Sequence, residues 1–190
     1  VHKKEVDFLA TSTYKWLLGG PYNNSTGFFY VKEEVQDDLH PDYVGGQTLE
    51  PDQMRANTTD GFDLYDYRPR KEIGRLEIYN QNEAEYVTVE NSMKLLLDFG
   101  LDKVERQIKK IDSVILDGLQ SFNIEIQTPL DEDRRIYINA KIPEYKTVSE
   151  KLSEKGCYVS PRVGGLRISP GAYNNTDEAE IFIEKISEFL

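Results

Sequence analysis

Two basic residues stand in local sequences that suit chemistry. Lys15 lies in the stretch Thr11-Ser12-Thr13-Tyr14-Lys15-Trp16-Leu17-Leu18-Gly19-Gly20-Pro21, between hydroxyl side chains and a large aromatic, directly after a short apolar run. A lysine held in an apolar or cationic pocket has a lowered pKa, so part of it is the neutral amine that can attack a carbonyl and form a Schiff base. Taken alone, the pattern fits a solvated surface lysine as well. Arg167 lies in Gly165-Leu166-Arg167-Ile168-Ser169-Pro170-Gly171-Ala172-Tyr173-Asn174-Asn175, inside a short apolar strand that ends in a turn and a helix cap. Its planar fork matches a carboxylate with two parallel hydrogen bonds. The other reading is an arginine paired with one of the chain's acids.

The composition narrows the classes. The 190 residues carry 23 Lys plus Arg against 34 Asp plus Glu, a net charge of −11, and no long basic stretch offsets it. Such a chain repels phosphate backbones, so nucleic acid is not an expected partner. No apolar run approaches the roughly 20 residues that cross a bilayer, so no membrane partner is expected either. One cysteine and two histidines make no zinc set, so no metal is expected, and a single cysteine suits a reducing cytoplasm. Cys157 opens a predicted strand and reads as a small buried hydrophobe, and His40 beside Pro41 reads as a loop residue.

The elements that must position the lysine and arginine differ between the two halves of the chain. Val6 to Ala10 reads as a short buried strand and Gly27 to Val31 as another, while residues 32 to 75 show turn formers and no sustained period. A loop that long inside a compact domain is usually functional. A helix runs from Glu83 to Phe99, where Gly100 ends it. Val104, Ile108, Ile111, Ile115, Leu119 and Phe122 are spaced 4, 3, 4, 4 and 3 apart, one face of a second helix. Ile124 to Ile126 and Ile136 to Ile142 alternate as half-buried strands. Thr147-Val148-Ser149-Glu150 is a predicted capping box for a helix that Gly156 ends. Strands follow near Tyr158-Val159 and Leu166 to Ile168. A last helix starts at Asn175, with Glu178 three residues later and an apolar face of Ala179, Phe182, Ile186 and Phe189. The order from about residue 104 predicts a small sheet covered by helices on one side.

In combination these segments point to a family. The lysine segment, the Gly45-Gly46 turn, the run Arg75-Leu76-Glu77 followed by Asn80 and Asn82, and the Arg167 segment occur in the order seen in class V aminotransferases. The Tyr-Lys-Trp-Leu and Arg-Ile-Ser-Pro motifs, the latter followed by Tyr-Asn-Asn, carry the resemblance, which spans essentially the whole chain. It is to the branch of isopenicillin N epimerase-like proteins, kynureninase-like enzymes and cysteine desulfurases. The resemblance implies an α/β fold: the C-terminal part of a fold-type I transferase dependent on pyridoxal 5'-phosphate. Residues 1–103 would end the large cofactor-binding domain, and residues 104–190 would form a small α+β domain. By the same resemblance Lys15 is the catalytic residue that tethers the cofactor and then moves protons at the substrate carbon. Ser12 matches a phosphate-binding position. Tyr14 replaces the histidine often found before the lysine. Asn80 stands where many relatives place a threonine that reaches the phosphate of the neighbouring subunit. Arg167 matches the arginine that grips the substrate carboxylate.

The sequence also departs from that family. The loop after the lysine lacks the usual Gly-Pro-x-Gly form, and Ser160-Pro161-Arg162-Val163-Gly164-Gly165 holds no cysteine where desulfurases carry their nucleophile. Desulfurase chemistry is therefore not expected. The glycine turn, ring-stacking residue and ring aspartate of relatives do not precede Lys15, so the chain reads as a C-terminal half. Its expected partners are an amino-acid substrate and either a second copy, as a homodimer, or the N-terminal half of the same enzyme. The expected activity is transamination, epimerisation or elimination, weak or absent in the chain alone. The alternative is a non-catalytic α+β module for binding or dimerisation.

Overall fold

The computed structural model describes residues 6–15, 17–18, 26–54 and 65–190. They fall into two compact units, Val1–Leu95 and Leu96–Leu190, divided within the helix α1 (Glu83–Phe99). Trp16 and residues 19–25 of the lysine segment lie outside the described residues, as do residues 55–64.

The second unit is built on alternation. Its elements in order are α2 (Leu101–Ser121), β3 (Glu125–Ile126), β4 (Ile138–Lys141), α3 (Tyr145–Glu154), β5 (Ser160–Arg162), β6 (Gly165–Ile168) and α4 (Thr176–Ser187). The four strands form one antiparallel sheet in the order β3-β4-β6-β5. Ile138 and Ala140 of β4 and Leu166 and Ile168 of β6 point to one face, because successive strand residues alternate. On that face they join Ile111, Ile115 and Leu119 of α2, Val148 and Leu152 of α3, and Phe182 and Ile186 of α4 in a single buried core. The predicted α2 stripe thus supplies the core at its middle, while Phe122, at the helix end, is exposed. Asn175 caps α4 as the sequence indicates: its side chain accepts from the Glu178 N–H at 2.9 Å, and the Glu178 carboxylate accepts from the Asn175 N–H at 3.0 Å.

Three local expectations are corrected. The α3 helix begins at Tyr145, preceded by Glu144 in a left-handed conformation, so Thr147 is inside the helix and caps nothing. Tyr145 packs on the core together with Val148 and Leu152, and that stripe requires helix three residues earlier than the Thr-x-x-Glu pattern suggests. The edge strand is Ser160–Arg162, not Tyr158-Val159. The Val159 carbonyl accepts instead from the Ser149 hydroxyl at 3.0 Å, and Pro161, which lacks an N–H, is tolerated because β5 is an edge. In the first unit, β1 (Phe8–Ser12) starts two residues later than expected and is exposed along its whole length.

That first strand pairs with β2 (Gly27–Val31) in a two-stranded antiparallel sheet, from Phe8 opposite Val31 to Ser12 opposite Gly27. The described residues between 33 and 76 include short 3-10 turns at Glu33–Asp38, Gly46–Thr48 and Ile73–Leu76 and an isolated bridge between Leu49 and Pro69. No helix among the described residues is long and apolar enough to cross a membrane.

One buried charge pair lies beside the core. Asp112 of α2 is buried, with its Oδ2 3.6 Å from Arg135 Nε, and its Oδ1 has no hydrogen-bond partner. Burial pushes the Asp112 carboxyl above its ordinary value of 3.8, against the opposing pull of Arg135. The folded chain therefore holds this proton more tightly than the unfolded chain does. The ionised group opposes folding at neutral pH, and that opposition fades as pH falls through the folded pKa. Urea unfolding of the chain and of Asp112→Asn, run from neutral pH down toward 3.8, is expected to show the unsubstituted chain gaining stability relative to the variant. A gap independent of pH would contradict this reading.

Candidate functional site

The β1 strand runs directly into the lysine. Thr13, fully buried, pins the end of the hairpin by donating both its N–H (3.2 Å) and its hydroxyl (3.0 Å) to the Thr26 carbonyl. Thr26 in turn donates its hydroxyl to Glu85 of α1, whose other oxygen accepts from Asn82 at 3.0 Å. Past this anchor the chain turns: the Leu18 N–H donates to the Lys15 carbonyl at 3.1 Å, and Leu18 itself sits at a φ of 55°. Lys15 is exposed, with its Nζ 5.1 Å from the centre of the half-buried Tyr14 ring. No carboxylate pairs with Lys15 among the described residues, and the Tyr14 and Ser12 hydroxyls make no hydrogen bond there.

A shallow, open depression runs along the hairpin before this turn, lined by Ala10, Ser12, Thr26, Gly27 and Phe29 among others. Both faces of the hairpin that forms it carry exposed apolar side chains. Phe8 stacks on Phe29 on one face, with centroids 6.3 Å apart, and Leu9 and Phe28 lie on the other.

Asn80 belongs to a separate cluster of the same unit. The Gln47 Nε2 donates to its Oδ1 at 2.9 Å, and Arg70 Nη2 donates to the Gln47 Oε1 at 3.3 Å. With its oxygen engaged, the Asn80 amide keeps its Nδ2 donors. The fully buried Thr48 accepts from the Gly45 N–H and donates to the Glu77 carbonyl, both at 3.0 Å. Gly45 itself is pressed against the following segment: a Cβ there would lie 1.9 Å from the Ile78 carbonyl oxygen. Its φ of −122° is open to any residue, so the close approach alone demands glycine. No hydrogen bond or ion pair among the described residues joins Asn80 to the lysine turn.

Arg167 lies on β6 in the second unit, on the sheet face away from the core. It is half-buried, and its Cζ is 5.9 Å from the centre of the Tyr137 ring. Directly opposite on β4 stands Asn139, which is buried. The alternative reading of Arg167, an ion pair with an acid, has no counterpart among the described residues. Sequence reading missed Gln47, Thr48 and Asn139. Only Asn139 left a signal, as the polar position of an alternating strand. Cys157 is half-buried and packs against the core, and no cluster of metal-binding side chains occurs among the described residues.

The hairpin that presents Arg167 is tight. Val163 and Gly164 form its two-residue connection with φ of 51° and 76°, the positive signs of a type I′ turn. A β-branched residue pays a steric penalty there that asparagine largely avoids.

No protein-family model matches the chain. A probable cysteine desulfurase of Pyrococcus abyssi is 24% identical over 206 residues, an alignment that takes in 100% of this chain and 48% of that protein. An uncharacterized aminotransferase of Schizosaccharomyces pombe is 26% identical over 156 residues, with 78% of this chain and 37% of that one aligned. Among solved structures, the apo cysteine desulfurase of Thermococcus onnurineus superposes with a TM-score of 0.84 at 22% identity, over 99% of this chain and 48% of that one. The chain thus spans about half the length of the relatives it matches. It resembles the C-terminal half of the cysteine desulfurases and class V aminotransferases and has the mixed α/β fold of that half.

Two substitutions test this geometry. Gly45→Ala is expected to destabilise the first unit by roughly 1–3 kcal/mol through overpacking, with faster amide exchange around Ile78 and Asn80; unchanged exchange would contradict the close approach. Val163→Asn is expected to stabilise the second unit by about 1 kcal/mol, read by urea denaturation, and a loss of stability would contradict the turn assignment.

Proposed function

We propose that this chain is the C-terminal half of an enzyme that uses pyridoxal 5'-phosphate to act on an amino acid by transamination, epimerisation or elimination. The observation that carries the reading is the lysine turn. A primary amine and two hydroxyls, free of partners among the described residues, follow one another within four positions where the hairpin strand ends. That donor set fits a phosphate-bearing aldehyde: an amine for the carbonyl and hydroxyl donors for the anion. The bound cofactor supplies an electron sink that loosens bonds at the substrate α-carbon.

The chain's own residues do the rest. Lys15 tethers the cofactor and afterwards carries protons to and from the substrate carbon. Ser12 donates to the phosphate, and Tyr14 flanks the lysine with its ring and hydroxyl. Asn80, whose Nδ2 is the group left available by Gln47, donates to the phosphate of a neighbouring subunit in a homodimer. Arg167 holds the α-carboxylate through its fork. The two-residue connection Val163-Gly164 carries no cysteine, which favours these reactions over removal of sulfur from cysteine. The exposed, two-faced apolar hairpin is the surface that the N-terminal half covers, since strands apolar on both faces belong to sheets layered on both sides. A cytoplasmic location goes with this reading.

The exposure of Lys15 and of β1 favours a second reading, a non-catalytic α+β module. Incubation with pyridoxal phosphate, borohydride reduction and peptide mapping separates the two. The enzyme reading expects a visible absorption band and a label concentrated on the Lys15 peptide, both lost in Lys15→Ala, with weak or no turnover by the chain alone. A label spread over surface lysines and unchanged in Lys15→Ala would support the module.

A further inference from the structure

The sheet face that carries Arg167 also carries a second arginine. In the β5–β6 ladder Ser160 pairs with Arg167 and Arg162 with Gly165. Paired residues share a face. Since Leu166 and Ile168 face the core, Arg162, Gly165 and Arg167 all lie on the opposite one. The two arginines are diagonal neighbours there, a separation of roughly 7–8 Å in such ladders. Within reach of long side chains, they can grip two groups of one small molecule.

The position opposite Arg162 carries no side chain. A Cβ on Gly165 would lie 2.4 Å from the Ala140 carbonyl oxygen and 2.9 Å from the Asn139 Oδ1, so no side chain fits at that position. Asn139 is 5% exposed; its Nδ2 donates to the Arg162 carbonyl at 3.3 Å, and its Oδ1 has no partner. The backbone of Asn139 bonds toward β3, through the Gln127 N–H at 2.8 Å and the Thr128 hydroxyl at 3.1 Å. Toward β6 it therefore forms the non-hydrogen-bonded kind of pair with Arg167, in which side chains approach most closely. Asn139 thus ties the backbone of one arginine and stands against the side chain of the other.

Neither guanidinium has an acid. Among the described residues the exposed Arg162 guanidinium bonds the Pro161 carbonyl at 3.3 Å, and the Arg167 guanidinium lies over the Tyr137 ring with no hydrogen bond or ion pair. In a chain with an excess of carboxylates, two forks on one face without a carboxylate partner form an anion-binding arrangement. We propose that this face takes a small molecule with two acidic groups, Arg167 holding one carboxylate and Arg162 the other, so that the substrate is an acidic amino acid. The assignment of Arg167 to the α-carboxylate rests on the enzyme reading above; the two-arginine face does not.

The experiment uses the full chain without cofactor, with succinate and acetate as probes at equal ionic strength, followed by arginine side-chain NMR signals. Succinate is expected to bind about tenfold more tightly than acetate, the effect of one added charge-assisted pair. Arg162→Gln is expected to bring the two within about twofold while leaving acetate binding unchanged, and Arg167→Gln to weaken both. Equal affinities in the unsubstituted chain, or a succinate preference that survives Arg162→Gln, would overturn the proposal. Because no cofactor is present, failure of the Lys15 labelling experiment leaves this result unaffected, and the two readings fail separately.

Discussion

The second unit depends on the one-sided burial of two neighbouring strands. Ile138 and Ala140 on β4 and Leu166 and Ile168 on β6 are driven against three helices by removal of apolar surface from water, at about 25 cal/mol per Å². Once those four residues are inside, the alternating pleat leaves Asn139, Gly165 and Arg167 on the outer face. A slip of one residue would bury the Arg167 guanidinium if it occurred in β6 or the Asn139 amide if it occurred in β4, and either slip would expose a core isoleucine. The chemistry-bearing face is thus held in register by the core.

The first unit follows a different logic. Its hairpin has no buried face of its own: Phe8, Leu9, Phe28 and Phe29 are exposed on its two sides, and a two-stranded ribbon is marginal alone. What orders the unit is a set of polar fasteners. Thr13 and Thr26 close the hairpin end, and Thr26 continues through Glu85 to Asn82. Thr48 and Gly45 clamp the segment before Asn80. Buried hydroxyls act over short distances and fix backbone positions more sharply than apolar contact does. Such fastening suits a region that presents free donors on a turn.

Electrostatics divides the basic residues into two groups. Lys109, which reaches Glu105 and Asp133 at 3.0 Å each, and Arg75, 3.2 Å from Asp37, are committed to acids of their own unit. Lys15, Arg162 and Arg167 have no such partner among the described residues. In an acidic chain the pairing of a base is the ordinary outcome, so a base held apart from acids by its position on a turn or sheet face is available to an external anion.

The amino-acid sequence determined the helices, the strand alternation and the Asn175 cap, because these depend on neighbours a few residues away: the α2 stripe, the Gly100 stop and the Asn-x-x-Glu box are all local patterns. The same locality explains its failures. The Thr147 box lost to a core stripe that starts at Tyr145, the edge strand moved to Ser160–Arg162, and β1 proved exposed, since each depends on which distant surface packs against the segment. The lysine and arginine were recognisable by residue type and motif. That Asn139 stands opposite Arg167, that Arg162 shares its face, and that Gln47 occupies the oxygen of Asn80 were decided only by strand pairing and chain reversal. Those contacts join residues up to 33 positions apart, a distance over which sequence spacing carries no geometric information.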